Sequence, residues 1–249
     1  MAGAAIQRRL NWAITEVVEL LEESPRVRSV VLMSPGWAGH LSGQHIDIRL
    51  TAEDGYQAQR SYSIATPEEG DLLTITVELV EDGEVSPYLI EDLLVGDQIE
   101  IRGPIGGYFV WDEALGGPVQ LIGGGSGVVP LMAMLRARVR TGSDVPFRWL
   151  SSARSHEDLL FQNELDGMAS RDGVTVTQTL TRSHPGDWSG PTRRVDKAML
   201  DEYTWPPGDR PLVYVCGPTG FVENVATSLV EIGHGADLIR TERFGPSGR

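Results

Sequence analysis

The chain has 249 residues, 41% of them hydrophobic and 22% charged, enough to bury one large core or two small ones. Its formal net charge of -14 at pH 7 excludes the positive footprint that nucleic-acid binding needs, and its single cysteine, Cys216, excludes an intrachain disulfide framework and any cysteine-ligated iron–sulfur cluster. No apolar run is long enough to cross a bilayer and no basic, apolar leader opens the sequence, so the expectation is a soluble, cytoplasmic protein with no membrane partner.

From residue 11 to about residue 107 the sequence consists of short β-like runs broken by turn residues. Runs at 27–33, 46–50, 72–80 and 98–101 are separated by Pro35-Gly36, Asp54-Gly55, Gly70-Asp71, Asp82-Gly83 and Gly96-Asp97. Such even spacing predicts an antiparallel β-barrel or sandwich. Thr74, Thr76 and Glu78 alternate with Ile75, Val77 and Leu79, the pattern of a strand with one wet and one buried face. The stretch 13–20 reads two ways: Ile14, Val17, Val18 and Leu21 fit a helix stripe, and the β-branched content fits a strand.

After Gly116 strands and helices alternate, which predicts a parallel sheet with right-handed crossovers. Strands are expected at 119–122, 147–150, 174–179, 212–215 and 237–240, and helices at 128–140, 156–169, 196–203 and 219–232. The chain therefore divides into an N-terminal barrel domain, residues 1–114, and an α/β domain with a short tail, residues 115–249, joined through the turn-rich stretch 111–118. Two loops stand at strand-to-helix junctions of the second half. One is Gly123-Gly124-Gly125-Ser126-Gly127, with Pro130 in the first turn of the following helix; the other is Cys216-Gly217-Pro218-Thr219-Gly220. Glycines let the backbone approach a ligand closely, and the following helix start favours an anion. Ligands of open α/β sheets sit beyond the carboxyl ends of the strands, where both loops lie.

The tetrad Arg60-Ser61-Tyr62-Ser63 carries a family likeness. With Gly83-Glu84-Val85-Ser86, the glycine loop, Cys216-Gly217-Pro218 and Glu242 following in order, the sequence resembles the ferredoxin–NADP reductase superfamily of flavoproteins along nearly its whole length. The resemblance implies FAD on the barrel: Arg60 on the pyrophosphate, Tyr62 stacked on the flavin ring, Ser63 hydrogen-bonded near its reactive nitrogen, and Gly83, Val85 and Ser86 in a phosphate and ribose cradle. Ser61, Thr76 and Glu78 count with these flavin-binding residues. It also implies a nicotinamide dinucleotide across Gly123 to Gly127, with Cys216, Gly217 and Pro218 beside the nicotinamide. An arginine suits phosphate, a tyrosine suits an amphipathic ring, and a serine hydroxyl both donates and accepts. Cys216 is not expected to be a nucleophile, because no histidine with an orienting carboxylate stands near it in sequence.

In the family a terminal tyrosine covers the flavin in plant-type members. Here Glu242-Arg243-Phe244 is followed by residues 245–249, so Phe244 is expected to shape the site with Ser63, Cys216 and Glu242. Ser152, Arg154 and Arg182 are the groups expected at the adenosine end and favour NADPH over NADH, since a 2′-phosphate calls for positive charge. The resemblance implies an NADPH-to-FAD reductase that hands single electrons to a separate carrier such as a ferredoxin, a flavodoxin or an oxygenase component. A free-flavin or quinone reductase and an FAD-binding subunit of a larger complex are the alternatives. Arg136, Arg138 and Arg140 form a basic cluster that would steer an acidic carrier or serve as a solvated helix face and helix-end charges. His40, His45, His156, His184 and His234 lack metal-ligand spacing, so no metal is expected and they read as structural or surface residues.

The adenosine assignment has a direct check. Arg154→Ala is expected to weaken NADPH binding roughly tenfold and leave NADH about unchanged, read from the two dissociation constants; equal losses for both would remove Arg154 from the 2′-phosphate.

Overall fold

The computed structural model describes residues 10–171 and 173–245; residues 1–9 of the expected barrel domain and residues 246–249 of the expected tail lie outside them. Six antiparallel strands, β1 (Ala13–Ser24), β2 (Val27–Met33), β3 (His45–Thr51), β4 (Gln57–Ser63), β5 (Leu72–Glu78) and β6 (Gln98–Ile105), pair in the order β4-β3-β6-β1-β2-β5. The two outer strands then meet. Ile64, just past β4, bridges Ile75 of β5, and the Ala65 N–H donates to the Thr74 carbonyl at 2.7 Å. Closure pairs the two edges that an open sheet would leave free. The resulting barrel encloses Val17, Val30, Leu32, Ile46, Ile48, Leu73 and Ile75, all fully buried.

The segment that reads both as helix and as strand is β1. Its helix stripe fails, because Ile14 and Leu21 are 64% and 43% exposed while Val17 is buried. A bulge between Val17 and Glu19 resets the alternation, which is why period two is not visible along its length. β4 was not foreseen among the strands: its sequence is almost wholly polar. It forms because Asp47 of β3 collects its outward groups, accepting from Ser61 Oγ at 2.6 Å and Gln59 Nε2 at 3.0 Å, while Ala58 and Tyr62 turn the other way. Thr76 also departs from expectation. It is buried rather than wet, and its hydroxyl is matched by Ser29 Oγ at 2.8 Å, which in turn donates to Glu23.

The second half is a parallel sheet of β7 (Val119–Gly124), β8 (Phe147–Ala153), β9 (Val174–Leu180), β10 (Leu212–Pro218) and β11 (Ile239–Phe244), in the order β11-β10-β7-β8-β9. Four helices accompany it: α1 (Val128–Thr141), α2 (Gln162–Ala169), α3 (Lys197–Tyr203) and α4 (Thr219–Glu231). On one face Ile122, Leu150, Val213 and Val215 share a core with Met199 of α3 and Val222, Val225 and Leu229 of α4. On the other, Leu121, Trp149 and Tyr214 pack with Leu131, Met134 and Leu135 of α1, and this core runs on into Val27, Ala65, Phe109 and Trp111 of the barrel half. The seam between the halves is packed like an interior.

One expected helix is broken. Residues 156–169 form a single 3₁₀ turn, His156–Asp158, closed by a Ser155–Asp158 capping box, and a separate helix, α2. Between them Leu159, Leu160 and Phe161 are all buried, which one helix face cannot achieve for three consecutive residues. Phe161 turns into the left-handed region, φ 59°, to start α2. The final strand also starts two residues later than expected and runs further, so that Glu242 and Phe244 are strand residues.

The basic cluster on α1 is a solvated face only at Arg140, which is exposed; Arg138 and Arg140 stand in the last turn of the helix, and Arg136 and Arg138 turn inward. Arg136 is a bridge: Nη1 donates to the Ala65 carbonyl at 2.8 Å, Nη2 and Nε engage Glu164 of α2 at 2.6 and 3.0 Å, and the guanidinium lies 4.9 Å from the Phe161 ring. Arg140 donates to the Glu68 carbonyl, and the buried Arg138 donates Nε to Val145 O at 2.6 Å. At the opposite side of the seam Tyr214 and Arg240 both donate to the Val110 carbonyl, at 2.8 and 2.7 Å. Among the described residues no helix is long and apolar enough to cross a membrane.

Removing the bridge has a measurable cost. Arg136→Ala is expected to lower the unfolding free energy in urea by about 1–2 kcal/mol, and Arg140→Ala, more exposed, by about 0.5 kcal/mol or less; equal effects would deny Arg136 its special place.

Candidate active site at the domain seam

β7, β8 and β9 step to one side of the parallel sheet, and the chain then returns to lay β10 on the other side of β7. The strand order reverses there, and the two expected loops stand at the carboxyl ends of the two strands flanking that point. They touch closely. A Cβ on Gly127 would come within 2.4 Å of the Cys216 carbonyl oxygen, so a glycine is required. Gly125 adopts φ 56°, as the turn demands. Beyond the loops lies a cleft of about 230 Å³. Gly124, Gly125, Ser126, Ser152, Arg154 and Phe244 line it from the α/β side, and Arg26 and Glu78 from the barrel.

Strand register decides what meets at the seam. Glu242 on β11 is paired with Cys216 on β10, and Cys216 with Gly123 on β7. On the barrel Ser63 is paired with His45. The two sets meet where His45 Nδ1 stands 3.6 Å from Glu242 Oε1. Ser63, Cys216 and Glu242 thus gather in one corner, with a histidine that sequence reasoning had set aside. Its only sequence signal was its place at the start of the strand that pairs with Arg60 to Ser63, and pairing is not written in a single sequence.

Burial rules the chemistry of this corner. Glu242 Oε2 is buried without a hydrogen-bond partner, and loss of water pushes the carboxyl up to about 7. Burial likewise moves His45 below its ordinary value, against the opposing pull of Asp47. Burial therefore favours the neutral form of both groups. Cys216 is buried, and its thiol is pushed well above its ordinary value, first by burial and then by the Glu242 charge, so it stays a thiol.

The remaining expected residues are distributed along β4 and the cleft. Tyr62 is half-buried against the barrel core, its phenol raised by burial. Arg60 is exposed, donating to the Gln59 carbonyl at 2.7 Å and to Glu84 Oε2 at 3.1 Å. Ser61 points to the opposite face, to Asp47. Val85 is fully buried, and the Ser86 hydroxyl accepts from the Val80 N–H at 3.0 Å, fastening the Gly83 turn. Thr76 is buried, its hydroxyl matched with that of Ser29. Arg182 is exposed beside Arg154, to whose carbonyl its N–H donates at 2.8 Å. Among the described residues no group of three or more histidine, cysteine or carboxylate side chains could hold a metal ion.

Residues 17–110 match the family model of the oxidoreductase FAD-binding domain, and residues 121–227 that of the oxidoreductase NAD-binding domain. The chain belongs to the ferredoxin–NADP reductase superfamily. Among superfamily relatives, the glycine betaine monooxygenase reductase subunit of Pseudomonas aeruginosa is 31% identical over 248 residues, covering 95% of this chain and 66% of its own length. The chain thus spans about two-thirds of that relative. NADH-cytochrome b5 reductase 1 of Dictyostelium discoideum is 26% identical over 201 residues, covering 80% of this chain and 69% of its own. Among solved structures, the FAD/NAD-binding domain of nitric oxide dioxygenase from Vibrio cholerae superposes with a TM-score of 0.84 at 27% identity, over 94% of this chain and 99% of that one.

The raised Glu242 carboxyl has a thermodynamic signature. In the fold it keeps its proton up to about pH 7, whereas the unfolded chain loses it near 4.5. Between those values the folded state binds the extra proton, so its stability falls as pH rises. Glu242→Gln removes this term. From pH 5 to pH 8 the wild type is expected to lose on the order of a few kcal/mol more unfolding free energy than the variant, read from urea melts at both pH values; parallel losses would contradict the burial of the charge.

Proposed function

We propose that this chain is a flavoprotein reductase that takes a hydride from NADPH, in preference to NADH, and passes single electrons to a separate carrier such as a ferredoxin, a flavodoxin or an oxygenase component. One observation carries it. The Glu242 carboxyl, beside Cys216 on the nucleotide side, meets His45, the strand partner of Ser63 on the barrel side, in one buried corner at the switch point of the sheet.

The residues present fit FAD. Arg60 offers an exposed guanidinium next to the tight Gly83 turn, where a Cβ would come within 2.9 Å of the Val80 carbonyl. Tyr62 offers a half-buried ring one residue before Ser63. Glu242 offers a buried oxygen without a partner. FAD, when bound, supplies hydride acceptance and the release of electrons one at a time.

The chain's own residues bind, orient and exclude water. Arg60 would hold the pyrophosphate and Tyr62 the ring, while Phe244 on β11 would close the cleft over the reacting faces. Gly123 to Gly127 and the start of α1 suit the phosphates of the nucleotide. Arg154, with Arg182 beside it, would meet the 2′-phosphate. Asp158 lies in the same cleft, but its Oδ2 already accepts from the Ser155 N–H and hydroxyl at 2.9 and 2.8 Å. Ser63 has a hydroxyl that both donates and accepts, and Glu242 with His45 holds a proton next to it at neutral pH. Cys216, a buried thiol, would fill the space beside the nicotinamide without reacting. Relatives described as a monooxygenase reductase subunit and as an Amycolatopsis cytochrome P450 reductase, the latter 25% identical with a TM-score of 0.83 over 98% of this chain and 73% of that one, support a separate acceptor.

The test is an anaerobic titration of the purified protein with NADPH and, separately, with NADH, following flavin absorbance. A yellow protein bleached faster by NADPH is the expected result. A colourless protein that takes up no FAD would overturn the reading, and rapid turnover with free flavin alone would shift it to a free-flavin reductase.

A further inference from the structure

The Arg60 fork is not free in this structure. Its Nη1 donates to the Gln59 carbonyl, and its Nη2 lies 3.1 Å from Glu84 Oε2. Glu84 is held at its other oxygen too, where the Tyr56 hydroxyl donates to Oε1. Those two neighbours, Tyr56 first and then Arg60, keep the Glu84 carboxyl below its ordinary value, so it is charged at any working pH. Its backbone is fixed on both sides: Gly83 forms the tight turn, Val85 is fully buried, and Ser86 is tied to Val80. The carboxylate is therefore presented to Arg60 by a fastened turn rather than by a wandering side chain.

We propose that Glu84 is a built-in competitor for the flavin pyrophosphate, occupying the guanidinium that a phosphate must engage and so setting how readily flavin loads and leaves. The inference rests on the reading of Arg60 as the pyrophosphate ligand. A phosphate oxygen arriving at Nη2 has to share that nitrogen with a carboxylate oxygen or displace it. The Arg60–Glu84 pair sums to zero charge, so a pyrophosphate meets no net positive charge at this seat, and the carboxylate left beside it repels it. Both side chains are about half exposed, 53% and 46%, so water shares the exchange and the competition is graded rather than absolute. Tyr56 strengthens the competitor by orienting it. Only flavins that carry phosphate should notice it.

The experiment strips flavin from the full chain and titrates FAD and riboflavin back, following quenching of flavin fluorescence, in wild type, Glu84→Gln, Tyr56→Phe and Arg60→Ala. Glu84→Gln is expected to bind FAD about threefold to tenfold more tightly and riboflavin about equally. Tyr56→Phe should shift FAD in the same direction by less. Unchanged or weaker FAD binding by Glu84→Gln, or equal tightening for riboflavin, overturns the competition. Arg60→Ala separates the two layers. If it weakens FAD while Glu84→Gln changes nothing, the phosphate seat stands and the competitor falls. If it leaves FAD unchanged, the seat itself is wrong and the proposal falls with it.

Discussion

Gly127 presses against the carbonyl of Cys216, and the rest of the site follows from that close approach. It is possible because the parallel sheet reverses its order between β7 and β10, so that two strand ends and their loops face one crevice. Any side chain at Gly127 would push the loops apart. With them together, Cys216 is buried, Glu242 on the next strand is brought to the barrel, and α1 starts where an anion is favoured. The barrel answers from the other side. Its closure between Ile64 and Ile75 fixes the chain immediately after Ser63, so Arg60 to Ser63 are held by a closed structure rather than a free edge.

Loss of water governs the electrostatics where the halves meet. A carboxyl and an imidazole 3.6 Å apart would in water form a weak ion pair. Burial instead drives both toward their neutral forms, and the unpartnered oxygen of Glu242 leaves a demand that the barrel and sheet do not meet. The Arg49–Glu100 pair on the barrel exterior is the opposite case, where a hydrogen-bonded arginine holds the carboxylate below its ordinary value. The same chain thus carries carboxylates moved in opposite directions by different surroundings.

Much of the fold was legible in the sequence, and the reasons differ from element to element. β2, β5 and α4 announce themselves because burial on one face imposes a period that turn residues interrupt, and β7, buried at every position, because it is a short apolar run ahead of glycines. β4 is silent, since its outward partners are polar and its strand character comes from Asp47 across the sheet. The break before α2 was hidden because the run Leu159-Leu160-Phe161 reads as helix and is buried from more than one side. Motifs point to candidate site residues that are local: the glycine loop, Arg60 to Ser63, Cys216 to Pro218. What they could not disclose is pairing at a distance. His45 beside Glu242, Glu84 on Arg60 and Arg136 on Ala65 join residues separated by long stretches of chain, and each depends on strand register or helix orientation rather than on composition.

The bridge from Arg136 to Ala65 bears on how such a chain can diversify. α1 begins at the glycine loop and, two turns later, grips the main chain just past the flavin tetrad, while Tyr214 and Arg240 grip Val110 on the far side. The two halves are separate in sequence yet share one packed core. Exchange of one half for that of a distant cousin would therefore keep both grips only where its main chain brings the same two carbonyls to Arg136, Tyr214 and Arg240. The seam makes the pair of domains a single unit of inheritance, and leaves the outward loops as the parts free to change.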